Sequence, residues 1–189
     1  MSLPIYLKRD DITKILGPAP KYTMHAHRLR NRLMVRLMLT TGMRVGEVSK
    51  LCVEDVDFEE RTILVRKSKW RKDRIVFMEP TTAGLLKRYI SHRTSGRVFN
   101  VNPRRIQRIV KRMARAAGVR NADKVTPHKL RHTFAINWVQ GGGDIESLRR
   151  ILGHNDLSTT QIYLNFDYNY VRQVYERLYC KPKPPILLS

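Results

Sequence analysis

The stretch Thr126-Pro127-His128-Lys129-Leu130-Arg131-His132 opens a helix and loads its first turns with cationic and titratable groups. A hydroxyl residue ahead of proline is a start signature. The side chain can accept from a first-turn N–H, and proline costs little where no intrahelical donor is needed. His128 then stands one helical turn before Arg131, and His132 lies four positions after His128. The helix is expected to reach about Val139, after which Gly141-Gly142-Gly143 breaks the chain. Asp144 caps a short helix with Ile145, Leu148, Ile151 and Leu152 inward, Gly153 stops it, and His154 follows directly. A further helix is expected from Ser158-Thr159 and carries Tyr163.

Upstream, short helices surround one small sheet. From Arg28 to Leu39, Leu29, Leu33 and Leu37 recur four apart with Met34 and Met38 alongside, an apolar helical face flanked by arginines and ended by Thr41-Gly42. Val45 to Leu51 is a second short helix, so Arg44 stands between two helices, and the acidic turn Glu54-Asp55-Val56-Asp57 leads out. Arg61 to Arg66 and Arg74 to Met78 are β-branched or aromatic runs, read as a strand pair joined by the basic connection Lys67-Ser68-Lys69-Trp70-Arg71-Lys72-Asp73. Thr81 to His92 is expected to be helical with Leu85, Leu86 and Tyr89 inward.

Asn102 and Pro103 start a helix to Ala117 with Ile106, Ile109, Val110, Met113 and Ala117 as its apolar stripe, and Gly118 stops it. The opposite face of that helix carries Arg104, Arg105, Arg108, Lys111, Arg112 and Arg115. Six cations without one acid favour a DNA-backbone contact over a merely solvated face. Near the C-terminus, Tyr168 to Cys180 places Val171, Val174, Tyr175 and Leu178 at helical spacing, before a proline-containing tail from Lys181 to Ser189. The expected fold class is mainly α with a small antiparallel β-sheet (α+β).

At 189 residues the chain can bury one good core but not comfortably two. No apolar run approaches the roughly 18 residues of a membrane span, and the N-terminus lacks a signal-peptide stretch, so a cytoplasmic protein is expected. The net charge of +21 is spread along the chain and favours a polyanion, with nucleic acid first among candidates because many dispersed cations release condensed counterions. Cys52 and Cys180 stand without metal-ligand or CxxC spacing and read as small hydrophobes or idle thiols.

Four pieces carry the chemistry: Thr41-Gly42-Met43-Arg44-Val45-Gly46-Glu47, the connection around Lys69, the stretch from Thr126 to His132, and Leu152-Gly153-His154 with Thr159-Thr160-Gln161-Ile162-Tyr163. In this order they resemble the tyrosine recombinase family, the lambda-integrase and Xer-like enzymes, from about Leu3 to Arg177. Arg131 to His154 spans 23 positions and His154 to Tyr163 spans nine, as in the family pattern. The resemblance implies the catalytic-domain fold of DNA breaking-rejoining enzymes. It also implies a site-specific recombinase, whether for integration, excision, inversion or dimer resolution.

The residue types suit phosphoryl transfer. Arg44 and Arg131 would clamp the non-bridging oxygens of a pentacoordinate phosphate, His154 would add a hydrogen bond, and Tyr163 would be the nucleophile. His128 would take the phenolic proton as general base, and Lys69 would return one to the leaving 5′ oxygen. Glu47 and His132 are expected to support the site rather than react. The family's Lys-x-x-Lys-x-Arg pattern matches Lys69 to Arg74, although Trp70 stands where glycine is common, so Lys67 and Lys72 stay open as acids. Tyr168, Tyr170, Tyr175 and Tyr179 are nearby alternatives to Tyr163, which only its offset from His154 singles out. His128 and His132 could pair on zinc, but a zinc protease would have Glu where Lys129 stands, so no metal is expected.

No ATP or other cofactor is expected, since the phosphoester bond energy is kept in the tyrosyl link. The partners implied are a double-stranded DNA recombination site and a homotetramer, a dimer of dimers, assembled on it from monomers. Residues 1–180 are read as the catalytic domain, with a helix at about 168–180 and a flexible tail at 181–189. The family's N-terminal core-binding domain is read as absent, either because the chain is part of a longer enzyme or because it resembles the short recombinases. Two other functions stay open: a type IB topoisomerase-like nicking and closing enzyme, and a catalytically silent DNA-binding module of the same fold.

Overall fold

A computed structural model describes residues 6–17, 25–66 and 73–154, except for the side chains of residues 25 and 26. Lys67, Lys69 and Lys72, Tyr163 with its rival tyrosines, Cys180, the helices expected beyond Ser158 and the tail lie outside the described residues.

Seven α-helices and three strands are described: α1 (Arg9–Leu16), α2 (His25–Thr41), α3 (Val45–Lys50), β1 (Val56–Asp57), β2 (Thr62–Val65), β3 (Arg74–Phe77), α4 (Pro80–Ile90), α5 (Pro103–Ala116), α6 (Pro127–Gln140) and α7 (Ile145–Leu152). Single turns of 3₁₀ helix precede β1 (Val53–Asp55) and α6 (Ala122–Lys124). The centre is α2, which packs against α1, α3, α4, α5 and α6. Leu33, Met34, Val35, Leu37, Met38 and Leu39 are all buried, so α2 is covered around most of its circumference and not along the single face its sequence suggested.

The sheet is antiparallel in the order β1-β2-β3. It corrects the expected strand pair: β1 is a third strand, drawn from the acidic segment after Glu54. Two residues are too short for an alternation to show, and the strand is set by the turn that follows it. Asp57 Oδ1 accepts from the N–H groups of Glu59 and Glu60, both at 2.9 Å, folding the chain back so that Val56 faces Ile63. On β2 and β3, Ile63, Val65, Arg74 and Val76 point inward, while Ile75 and Phe77 are exposed.

Helix ends follow the sequence signals closely. Asn102, Thr126 and Asp144 cap α5, α6 and α7 by accepting from Arg105, Lys129 and Ser147 N–H groups. Helix α4 turns Thr82, Ala83, Leu86 and Ile90 fully inward, with Leu85 and Tyr89 at the margin. Helix α1 was not anticipated. Asp10 and Asp11 in its first turn favour the positive helix end, and Ile12, Ile15 and Leu16 pack on the core. The backbone just before it is tied to α6, where Thr133 Oγ1 accepts from Leu7 N–H at 3.0 Å.

Most buried apolar residues form one cluster, which includes Ile151. A smaller second cluster, Ala135, Ile136, Val139, Leu148 and Leu152, joins α6 to α7. Among the described residues no helix is long and apolar enough to cross a membrane.

Candidate functional site

Four separate stretches of chain meet at the C-terminal end of α7. The last carbonyls of any helix lack intrahelical partners and carry the negative end of its dipole. Gly153, left-handed at φ 63°, ψ 48°, closes two of them: its N–H donates to Arg150 O at 3.0 Å, and His154 N–H reaches Arg149 O at 3.1 Å. The remaining two are taken by arginines from elsewhere. Arg74 Nε donates to Ile151 O at 2.6 Å, and Arg131 Nη2 donates to Leu152 O at 2.7 Å, an oxygen that Arg44 Nη1 also approaches at 3.4 Å.

Arg131 is 6% exposed. Besides Leu152 it donates through Nη1 to Gly42 O at 2.6 Å, so its guanidinium bridges the turn after α2 and the end of α7. Arg131 Nη2 lies 3.1 Å from His154 Nε2. Arginine can only donate, so a hydrogen bond across this contact has the ring nitrogen as its acceptor. His154 is fixed again at its carbonyl, which accepts from Arg149 Nη1 at 3.0 Å.

Arg44 immediately precedes α3, and its side chain is 37% exposed. Glu47, one turn on, accepts from Arg44 N–H at 2.7 Å and from Arg44 Nη1 at 3.3 Å. The same carboxylate is held in a two-point grip by Arg74, with Nη1 to Oε1 at 2.8 Å and Nη2 to Oε2 at 2.7 Å. Burial raises the Glu47 pKa, but the Arg74 hydrogen bonds and charge, followed by Arg44, more than reverse this, and the net displacement is below the usual glutamate value.

His128 is exposed on the first turn of α6 and stacks on His132 with ring centroids 6.4 Å apart. His132 is buried, and burial, then the charges of His128 and Lys129, push its pKa down. Among the described residues no group of three or more His, Cys, Asp or Glu is placed to hold a metal ion. The structure thus brings Arg44, Glu47, Arg131 and His154 together and sets His128 and His132 on the helix of Arg131. Lys69 and Tyr163 lie outside the described residues.

Sequence reasoning missed Arg74 as a member of this group. The signal was present: in Arg74-Ile75-Val76-Phe77 the strand period puts Arg74 on the side of Val76, and an arginine at an inward position needs a buried partner. On α5, Arg104, Arg105, Arg108, Arg112 and Arg115 are exposed and Lys111 partly so. The row is not free of acids in space, because Asp123 from the following turn pairs with Arg115 and approaches Lys111 at 3.9 Å.

The profile of the phage integrase family matches residues 6–169. The chain belongs to the phage integrase family. Within it, the chain is 34% identical over 187 residues to tyrosine recombinase XerA of Pyrococcus furiosus, covering 93% of this chain and 62% of that protein. It therefore spans less than two thirds of the length of that relative. Among solved structures it resembles a XerA recombinase (TM-score 0.76, 33% identity, 97% of this chain and 68% of that one). It also resembles the XerH site-specific recombinase bound to its palindromic difH substrate (TM-score 0.74, 28% identity, 93% and 53%). These family members share the fold described above, mostly helical with a small antiparallel sheet.

Proposed function

We propose that this chain is the catalytic portion of a site-specific DNA recombinase that cuts and rejoins double-stranded DNA through a 3′-phosphotyrosyl link to Tyr163. The observation that carries this is the convergence of Arg44, Arg131 and His154 on one helix terminus, a cationic group rigid enough to hold a phosphate as its charge grows. The similarity to XerA and XerH supports the same reading.

The Tyr163 phenol oxygen attacks phosphorus as His128 accepts its proton, the bond from phosphorus to the 5′ oxygen breaks, and Lys69 protonates that oxygen. Arg44 and Arg131 hold the non-bridging oxygens. His154, beside Arg131, adds a further hydrogen bond to them. A 5′-hydroxyl of a second strand then reverses the attack, conserving the bond energy without cofactor.

Residues 1–180 make up the catalytic domain. The row from Arg104 to Arg112 on α5 rests on the DNA backbone, and synapsis of two duplexes assembles four copies, as a dimer of dimers, in the cytoplasm.

The test begins by selecting a binding site for the 189-residue chain from a pool of random duplexes. A nicked suicide substrate bearing that site is expected to yield a covalent protein–DNA adduct that Tyr163→Phe does not form. A chain that binds the site but forms no adduct on it would not be a recombinase. Exchange between two labelled duplexes is expected as well; nicking and closing without exchange would reassign the activity to that of a topoisomerase.

A further inference from the structure

Arg74 has no role in the chemistry above, yet it is among the most tightly engaged cations in the molecule. It is 8% exposed and gives three hydrogen bonds at 2.6–2.8 Å to groups from α3 and α7. A buried ion pair is seldom worth more than an apolar pair of the same size, so stability alone does not account for it. Its geometry does. Glu47 is shared between two arginines, with Arg74 gripping both carboxylate oxygens while Arg44 takes its longer bond of 3.3 Å to one of them. Without Arg74, the charge of Glu47 would be answered by Arg44 alone, which would draw that guanidinium back into a private pair. At the same time Arg74 Nε holds Ile151 O, next to the Leu152 carbonyl on which Arg131 and Arg44 converge.

Resting on the recombinase reading above, we infer that Arg74 is a positioning residue for strand cleavage: it neutralises and orients Glu47 so that Arg44 can engage the scissile phosphate, and it sets the register of the α7 terminus under Arg131. Arg74 touches no reacting atom in this role. It acts through the arginine clamp and not through the connection that bears Lys69.

The test compares the 189-residue wild type, Arg74→Lys, Arg74→Met and the double variant Arg74→Met/Glu47→Gln on the selected nicked substrate. A second substrate carries a methylphosphonate at the scissile position, which lacks one charged oxygen and so needs less of the clamp. Gel-shift affinity is expected to be unchanged, since the side chain is buried. On the phosphate, Arg74→Met is expected to slow adduct formation about 100-fold, the scale of a small misplacement of a catalytic group. Arg74→Lys, which keeps the charge but not the two-point grip, should be intermediate. On the methylphosphonate the Arg74→Met deficit should shrink to about tenfold or less, because the charge that Arg44 answers is missing. The double variant, in which no carboxylate competes for Arg44, should outpace Arg74→Met on the phosphate; if Arg74→Met does not fold, Arg74→Lys and the double variant carry the comparison, as they leave no unpaired buried charge.

Equal slowing of Arg74→Met on both substrates would mark a general structural lesion and overturn the inference, as would a double variant no faster than Arg74→Met. Rescue of Arg74→Met by a sulfur leaving group at the 5′ position, which needs no acid, would move its role to the Lys69 connection and overturn it too. A wild-type chain that binds its site without forming adduct removes the recombinase reading and this inference together. A wild-type chain that forms adduct, matched by Arg74→Met, removes the role of Arg74 alone.

Discussion

Gly42 holds the site together by what it lacks. Its φ of 68° is a conformation that L side chains rarely adopt, and a Cβ there would lie 2.6 Å from Phe134 Cδ1 and 2.8 Å from Leu152 Cδ2. Its carbonyl is one of the two that seat Arg131. Gly42→Ala is therefore expected to lower the melting temperature and to abolish adduct formation together, as followed by thermal denaturation and the suicide-substrate assay. Arg131→Ala should also do both, because the Gly42 carbonyl loses its Arg131 donor, at about 1–3 kcal/mol, and Leu152 O keeps only the longer contact to Arg44. Gel-shift affinity should survive in Arg131→Ala, since the residue is one of 37 cations. Loss of cleavage with an unchanged melting temperature would contradict the buried bridging seen at Arg131.

His132 makes a prediction in pH. Its folded pKa lies below the ordinary 6.5, so as pH falls the unfolded chain takes up a proton before the folded one does. The contribution to stability is complete above about 6.5 and is lost as pH falls from there through the lower folded value. His132→Gln should flatten the fall in melting temperature between pH ~7.5 and ~5.5.

At the scale of elements, α7 and α5 differ in how their sequence maps to their role. Leu148 is fully buried where α7 meets α6, and Leu148→Ala is expected to cost about 2–5 kcal/mol, measured by denaturant unfolding. On α5, Arg104→Ala and Arg108→Ala should each reduce the slope of log affinity against log salt by about one, while Arg115→Ala should change it less, because Asp123 already answers that charge. A larger effect at Arg115 than at Arg108 would remove α5 from the DNA interface.

Helices α5, α6 and α7 were legible in the sequence because each has a cap and a stop, and α5 and α7 an apolar period between them. Strand β1 was not, because it is held by a turn and a partner rather than by its own pattern. Arg44, Glu47, Arg131 and His154 could be named from the motifs that carry the family resemblance. What spacing could not supply was the surface on which they meet. The carbonyls of Gly42, Ile151 and Leu152 are main-chain groups that every residue has, and only the fold selects these three. Arg74 was hidden for a related reason. It was read as the end of the Lys-x-x-Lys-x-Arg pattern and the start of a strand, while its burial depends on the strand period and on Glu47 arriving from α3.

Taken whole, the molecule combines a diffuse positive field with a point where three arginines are held together. The net charge of +21 suits attraction to a polyanion, whereas the group at the end of α7 contributes little to that field and nearly all of the geometry. Two of the three buried apolar residues of α7, Leu148 and Leu152, belong to the smaller cluster and not to the main core. Elements held by fewer apolar contacts open at a lower free energy than the global one, so amide hydrogens of α7 should exchange with solvent faster than those of α2. Each such opening withdraws the α7 carbonyls from Arg44, Arg74 and Arg131 at once, leaving them only Glu47 and the Gly42 carbonyl. The proposed cleavage site thus has a safety catch: it is armed only while one short helix stays closed.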